Sequence, residues 1–125
     1  GTTIPLFAPD NKIKKSLNSI KTACKGVDEP KETEGNLIYM IYRELATPEQ
    51  TAEFAQKFAQ GISYGEAKAE LFEKFKEFFE APRAKYEELK AHPDVVYDIL
   101  ADGAKKVRPL AQEGLSIIRK RIGMD

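Results

Sequence analysis

Apolar residues recur at intervals of three and four along nearly all of this chain, and strand-like alternation is nearly absent. That period puts them on one face of a helix, so the core has to be built by packing helix on helix. The punctuation agrees with the period. In "TPEQ", Thr47 is placed to cap a helix, Pro48 occupies its first turn, and Gln50 can reach back to the cap. Phe54 and Phe58 set the inner face of that helix, and Gly61 stops it. "SYGE" repeats the device, with Ser63 as cap and Glu66 as its partner.

The other elements follow from the same signals. "TIPLF" reads as an extended opening, held out of helix by Pro5. A first helix then starts with Asp10 as N-cap, with Ile13, Leu17 and Ile20 inward and Lys12, Lys14, Lys15 and Lys21 over the remainder. "KGVDEPKETEG" has no period and reads as a loop. "NLIYMIYREL" is the most apolar helix, with Leu37, Ile41 and Leu45 as its stripe and Ile38 and Tyr42 flanking it. After Ser63 the stripe is Ala67, Leu71, Phe75 and Phe78, widened by Phe79. It runs on past Pro82, which implies one kinked helix, until His92-Pro93. The last helix spans about Asp94 to Ile122, kinked or broken at Pro109 and closed by Gly123. Its expected core positions are Val96, Ile99, Leu100, Val107, Leu115, Ile118 and Ile122. The expectation is an all-α bundle of about five helices with an extended N-terminal segment.

Length and composition bound the function. The 125 residues make one domain, 1–125, and an apolar fraction of 42% supports a modest core. Lys+Arg and Asp+Glu balance at 20 each, so any basic surface must come from clustering. A single Cys excludes an internal disulfide framework and fits a cytoplasmic setting. No stretch approaches the roughly 20 apolar residues of a spanning helix, so no membrane partner is expected.

Catalytic signatures are missing. His92 and Cys24 are the only residues of their kinds and lie in different loops, which favours two ordinary loop residues over a nucleophilic pair. Neither has a metal-ligand partner at useful spacing, and no Gly-rich loop follows a strand to cradle phosphates. The carboxylates of "EKFKEFFE" read as a solvated helix face. No catalytic, cofactor or metal residue is assigned to this chain.

Charge placement says more than charge total. Lys12, Lys14, Lys15, Lys21 and Lys25 make the N-terminal stretch basic. Lys105, Lys106, Arg108, Arg119, Lys120 and Arg121 do the same for the last helix, while the segment from Asp28 to Glu53 is acidic. Such polarisation steers a phosphate backbone to one side of a molecule. It also arises from salt bridging between segments and from helix-end preferences.

The ordered motifs carry a resemblance. "TIPLF", "KIKKS", "SIKT", "DEPKE" and "NLIYMIYREL" resemble the region of bacterial tryptophanyl-tRNA synthetases just after their KMSKS loop. "YGEAK" at Tyr64–Lys68, "APRAKYEEL" at Ala81–Leu89 and "ILADGAKKVRPLA" at Ile99–Ala111 follow in the family's order, so the likeness spans essentially the whole chain. One departure is Thr22-Ala23-Cys24, where the family carries Thr-Asp-Ser. The resemblance implies a C-terminal helical domain of a class I synthetase whose upstream catalytic domain, using ATP and Mg, is absent here. It implies a homodimeric parent, packing against that catalytic domain, and engagement of the tRNA anticodon arm. The candidate tRNA contacts are Lys14, Lys15, Lys68, Lys105, Lys106 and Arg108, with Lys68 the weaker candidate because it also suits a structural ion pair. The alternative is a stand-alone helical protein-interaction domain that shares the bundle.

Overall fold

The computed structural model describes residues 3–22, 26 and 29–124. They form α1 (Asp10–Asn18), α2 (Leu37–Leu45), α3 (Pro48–Gln60), α4 (Tyr64–Ala91) and α5 (Pro93–Ile122), with no strand among them. The protein is all-α, as the three-and-four period requires. It divides into two compact units, Gly1–Ala84 and Lys85–Asp125. Ala23 and Cys24 of the departing tripeptide, together with Lys25 and Asp28, lie outside the described residues.

The first unit holds the core. Residues 3–5 have neither helix nor strand, and the chain turns at Leu6 and Phe7 before α1. Pro9, not Asp10, is the N-cap of α1, and no side chain caps this end. Asp10 sits one position inside, where its carboxylate accepts from Arg83 at 2.7 Å, while the same guanidinium donates to the Ala8 carbonyl. Ile13 and Leu17, one turn apart, are fully buried.

Asn36 caps α2 by accepting from the Ile38 and Tyr39 N–H groups. The buried residues of this helix are Ile38 and Tyr42, whereas Leu37 is 54% exposed, so the expected stripe and its flank exchange places. The reason lies in α3. Its Phe54 and Phe58 meet α2 through an aromatic cluster in which Tyr42 stacks on Phe54 at 4.0 Å between ring centroids. A nine-residue helix that is apolar on most sides takes its inward face from its neighbour.

The capping box at Thr47 forms with both of its reciprocal bonds, and Gly61 ends α3 in the left-handed region at φ 94°. At Ser63 the hydroxyl accepts from the Glu66 N–H at 3.1 Å, and the Glu66 carboxylate accepts from both the N–H and the hydroxyl of Ser63. From there Ala67, Leu71, Phe72 and Phe75 are buried. Phe78 is not: it is 52% exposed and meets Phe79 edge-on, while Phe79 continues the four-residue row from Phe75 into the core. Lys57 of α3 and Glu70 of α4 pair at 2.8 Å.

The box at Ser63 makes stability depend on acid. The hydrogen bond from the Ser63 hydroxyl, and then that from its N–H, holds the Glu66 carboxyl below its ordinary value of 4.5. A depressed native value contributes stability above the unfolded value, lost as pH falls through the folded one. Ser63→Ala should therefore lower the melting temperature at pH 7 and flatten the decline below about pH 4.5, as read by thermal melts across pH. Parallel wild-type and variant profiles below that pH would contradict the assignment.

In the second unit α5 begins with Pro93 at its first turn and ends at Gly123, whose N–H donates to Arg119 and Lys120 carbonyls. Neither Pro82 nor Pro109 breaks its helix. No residue of α5 is buried. Val96 is half-buried, and the other expected core residues, Ile99, Leu100, Val107, Leu115, Ile118 and Ile122, are exposed. Their spacing does define one apolar face, but periodicity names a face and not what covers it.

Candidate nucleic-acid interface

The cations singled out by the sequence fall into both units. Lys14 and Lys15 are exposed on α1, and neither has a carboxylate partner among the described residues. Lys14 holds its ammonium 5.9 Å from the centre of the Phe72 ring, a cation–π distance. Lys68 has a structural task. Its ammonium donates to the carbonyls of Asn18 and Ile20 at 2.8 Å each, where the C-terminal end of α1 leaves acceptors without helical partners. Its position on α4 thus ties the end of α1 to the second turn of α4, and it keeps its charge at the surface.

In the other unit, Lys105, Lys106 and Arg108 are exposed on α5. Lys106 pairs with Asp102 at 2.7 Å, one turn back, which offsets part of its field. Lys105 and Arg108 make no ion pair among the described residues. At 100° per residue, they and Arg119 lie on the side of α5 opposite Val107 and Leu110. An exposed ammonium or guanidinium without a carboxylate is what a phosphate contact needs.

Sequence reasoning missed a groove of about 500 Å³ between α1 and α4, whose lining includes Lys14, Tyr64, Gly65, Lys68, Ala69 and Phe72. The available signal was the spacing 65, 68, 69 and 72, one face of α4 with two small residues on it. Of the other depressions in this unit, one is lined by Glu73, Glu77 and Glu80 together with Lys76 and Arg83, and another by Glu32 and Glu34 together with Lys21. Lys31 was missed too. It is buried, donates to the Gly26 and Glu29 carbonyls, and lies 5.3 Å from the centre of the Tyr64 ring, so it pins the loop before α2. Among the described residues, no three His, Cys, Asp or Glu side chains converge as a metal site would require. No described helix is long and apolar enough to cross a membrane.

These helices and their order are similar to a portion of aminoacyl-tRNA synthetases. Within that class the relatives are tryptophan–tRNA ligases, and the chain is a relative of one portion of them. It is 40% identical over 124 residues to the tryptophan–tRNA ligase of Neisseria meningitidis, covering 99% of this chain and 37% of that enzyme. Against the ligase of Pseudomonas aeruginosa the identity is 34%, over 98% of this chain and 27% of the enzyme. The crystal structure of tryptophanyl-tRNA synthetase from Campylobacter jejuni, complexed with ADP and tryptophan, superposes with a TM-score of 0.89 at 32% identity, covering 97% of this chain and 38% of that one. No protein-family model matches the chain. The chain thus spans between about a quarter and two fifths of the proteins it matches, which fits a C-terminal fragment.

Proposed function

We propose that this chain is the tRNA-engaging C-terminal helical module, residues 1–125, of a tryptophan–tRNA ligase. The observation that carries the reading is similarity to those ligases over 97–99% of the chain, on a structure with exposed and unpaired cations. In this reading Lys14 and Lys15 on one unit, and Lys105, Lys106 and Arg108 on the other, hold phosphates of the anticodon arm. Lys68 contributes its field from a position fixed by α1. In this reading ATP and Mg are used by the catalytic domain upstream, and activation of tryptophan occurs there. The apolar face of α5, where Val107 is 60% and Leu110 is 70% exposed, is suited to packing against protein, and the catalytic domain is the partner this reading supplies. The parent is then a cytoplasmic homodimer, and its reaction joins tryptophan to tRNA after activation by ATP.

The chain alone should neither exchange pyrophosphate into ATP with tryptophan nor charge tRNA, and it should retain tRNA on a filter at about 50 mM salt, where phosphate contacts are strongest. Turnover that persists after host synthetase is removed would overturn the assignment of chemistry to the upstream domain. Failure to retain any tRNA would overturn the tRNA reading.

A further inference from the structure

We propose that the apolar face of α5 seats a second copy of this chain, with the two α5 helices antiparallel across a two-fold axis. The inference goes beyond the tRNA reading and does not depend on it. A catalytic domain and a second copy exclude each other on this face, and in the 125-residue chain the copy takes it. Three observations combine.

The first is extent. α5 has 30 residues, so it runs for about 45 Å. Ile99, Leu100, Val107, Leu110, Leu115 and Ile118 share one side of it and are each 51–70% exposed. A monomer rarely leaves an apolar stripe of that length in water. On a helix with no buried residue, a stripe of this period fits another helix laid along it.

The second is charge, and its order is self-complementary. At 100° per residue, Asp102, Lys106, Glu113 and Lys120 lie along one flank of the apolar face. Their signs run acid, base, acid, base, so the same series turned end for end is its own complement. In an antiparallel pair with Leu100 against Ile118 of the second copy, like flanks meet. Asp102 then faces Lys120 of the second copy, Lys106 faces its Glu113, and the two-fold axis repeats both pairs. Lys106 pairs with Asp102 at 2.7 Å within its own helix, so the new contact extends an existing pair into a row. Parallel copies would instead set this flank against the one that carries Arg108 and Arg119. Lys106 would then meet Arg108, and Lys120 would meet Arg119, like charge against like.

The third is small residues. Gly103 and Gly114 both lie on the apolar face in the interior of α5, where glycine weakens a helix. Neither has a positive φ, and a Cβ added at either would meet nothing within 4 Å. Nothing within the chain therefore demands a glycine at these positions. In the antiparallel register Gly103 faces Leu115 of the second copy and Gly114 faces its Ala104, so each glycine makes room for a close approach of the two helices.

Sedimentation of the 125-residue chain tests the proposal. The expected mass is twice 14.1 kDa at about 100 µM, returning toward 14.1 kDa on dilution. Leu100→Glu, at an exposed position, buries two carboxylates in the seam and should weaken association about 100-fold or more, with circular dichroism verifying the fold. Lys106→Glu sets a carboxylate against Glu113 in each half and should weaken it about 10-fold. Adding Glu113→Lys to that variant restores the complement and should bring association back to within about 3-fold of wild type. A wild-type chain that stays at 14.1 kDa at about 1 mM would overturn the proposal and leave the face to another protein. A dimer that survives Leu100→Glu would place the contact elsewhere and overturn it too. Stronger association of Lys106→Glu would mean parallel helices, again against the proposal. Mass and tRNA retention are separate readings. A monomer that retains tRNA overturns only this proposal, and a dimer that retains none overturns only the tRNA reading.

Discussion

Phe54→Ala should destabilise the first unit by about 3–5 kcal/mol, whereas Phe78→Ala should cost less than about 1 kcal/mol. The two side chains are chemically identical and both sit on helices, so environment sets the difference. Phe54 is fully buried and touches Tyr42 at 4.0 Å, Phe58 at 5.0 Å and Tyr39 at 6.3 Å between ring centroids. Removing its ring leaves a cavity beneath α2 and also deletes edge and stacking contacts worth about 0.5–1.5 kcal/mol each. Phe78 is 52% exposed, and its one ring neighbour among the described residues is Phe79. A unit of roughly this size has a total stability of about 4–12 kcal/mol, so the Phe54 variant should lose a large part of its cooperative transition. Urea denaturation followed by far-UV circular dichroism reads both. A Phe54 variant within about 1 kcal/mol of wild type would mean that the aromatic cluster is not the core.

The contrast between these two residues shows what was legible in the sequence. Element existence and boundaries followed from local chemistry. Thr47 and Ser63 make their caps with neighbours three residues away, and Gly61 and Gly123 close helices with positive φ; Pro93, read as ending the preceding helix, also opens α5 one residue before the expected start at Asp94. These interactions are short in sequence, so the sequence displays them. Facing was less legible. Whether Phe78 or Phe79 turns inward, and whether Leu37 or Ile38 does, depends on what α2, α3 and α4 meet. Asp10 likewise gave up the expected cap for a guanidinium 73 residues away. On α5 the apolar face was visible, but burial needs a covering surface, which period alone does not supply.

The candidate interface divides the same way. Its cations could be named from composition runs, as Lys14, Lys15, Lys105, Lys106 and Arg108. Their pairing could not, and the structure distinguishes Lys106, held by Asp102, from Lys105 and Arg108. The role of Lys68 depends on carbonyls about fifty residues earlier. The groove beside it was invisible because Lys14 reaches Phe72 only once α1 and α4 are packed.

Reversing the basic positions should have the largest functional effect. If Lys14, Lys15, Lys105, Lys106 and Arg108 each neutralise one phosphate, tRNA binding falls about 100- to 500-fold between 50 and 200 mM salt, from a slope of roughly −3.5 to −4.5. Lys14→Glu, Lys15→Glu, Lys105→Glu and Arg108→Glu together should reduce affinity at 50 mM salt by more than about 100-fold, because each change removes an attraction and adds a repulsion. Different tRNAs should weaken alike, since phosphate contacts carry no sequence information. Glu49→Gln and Glu53→Gln, in the acidic segment, should leave affinity within about 2-fold.

The most direct measurement is the logarithm of tRNA affinity against the logarithm of salt concentration, for the wild-type chain and for the four-site reversal. The expected result is a steep wild-type line whose slope flattens by about 3 in the reversal, four contacts at 0.7–0.9 each. Superposed lines with equal affinity would contradict the placement of the tRNA backbone on these helices.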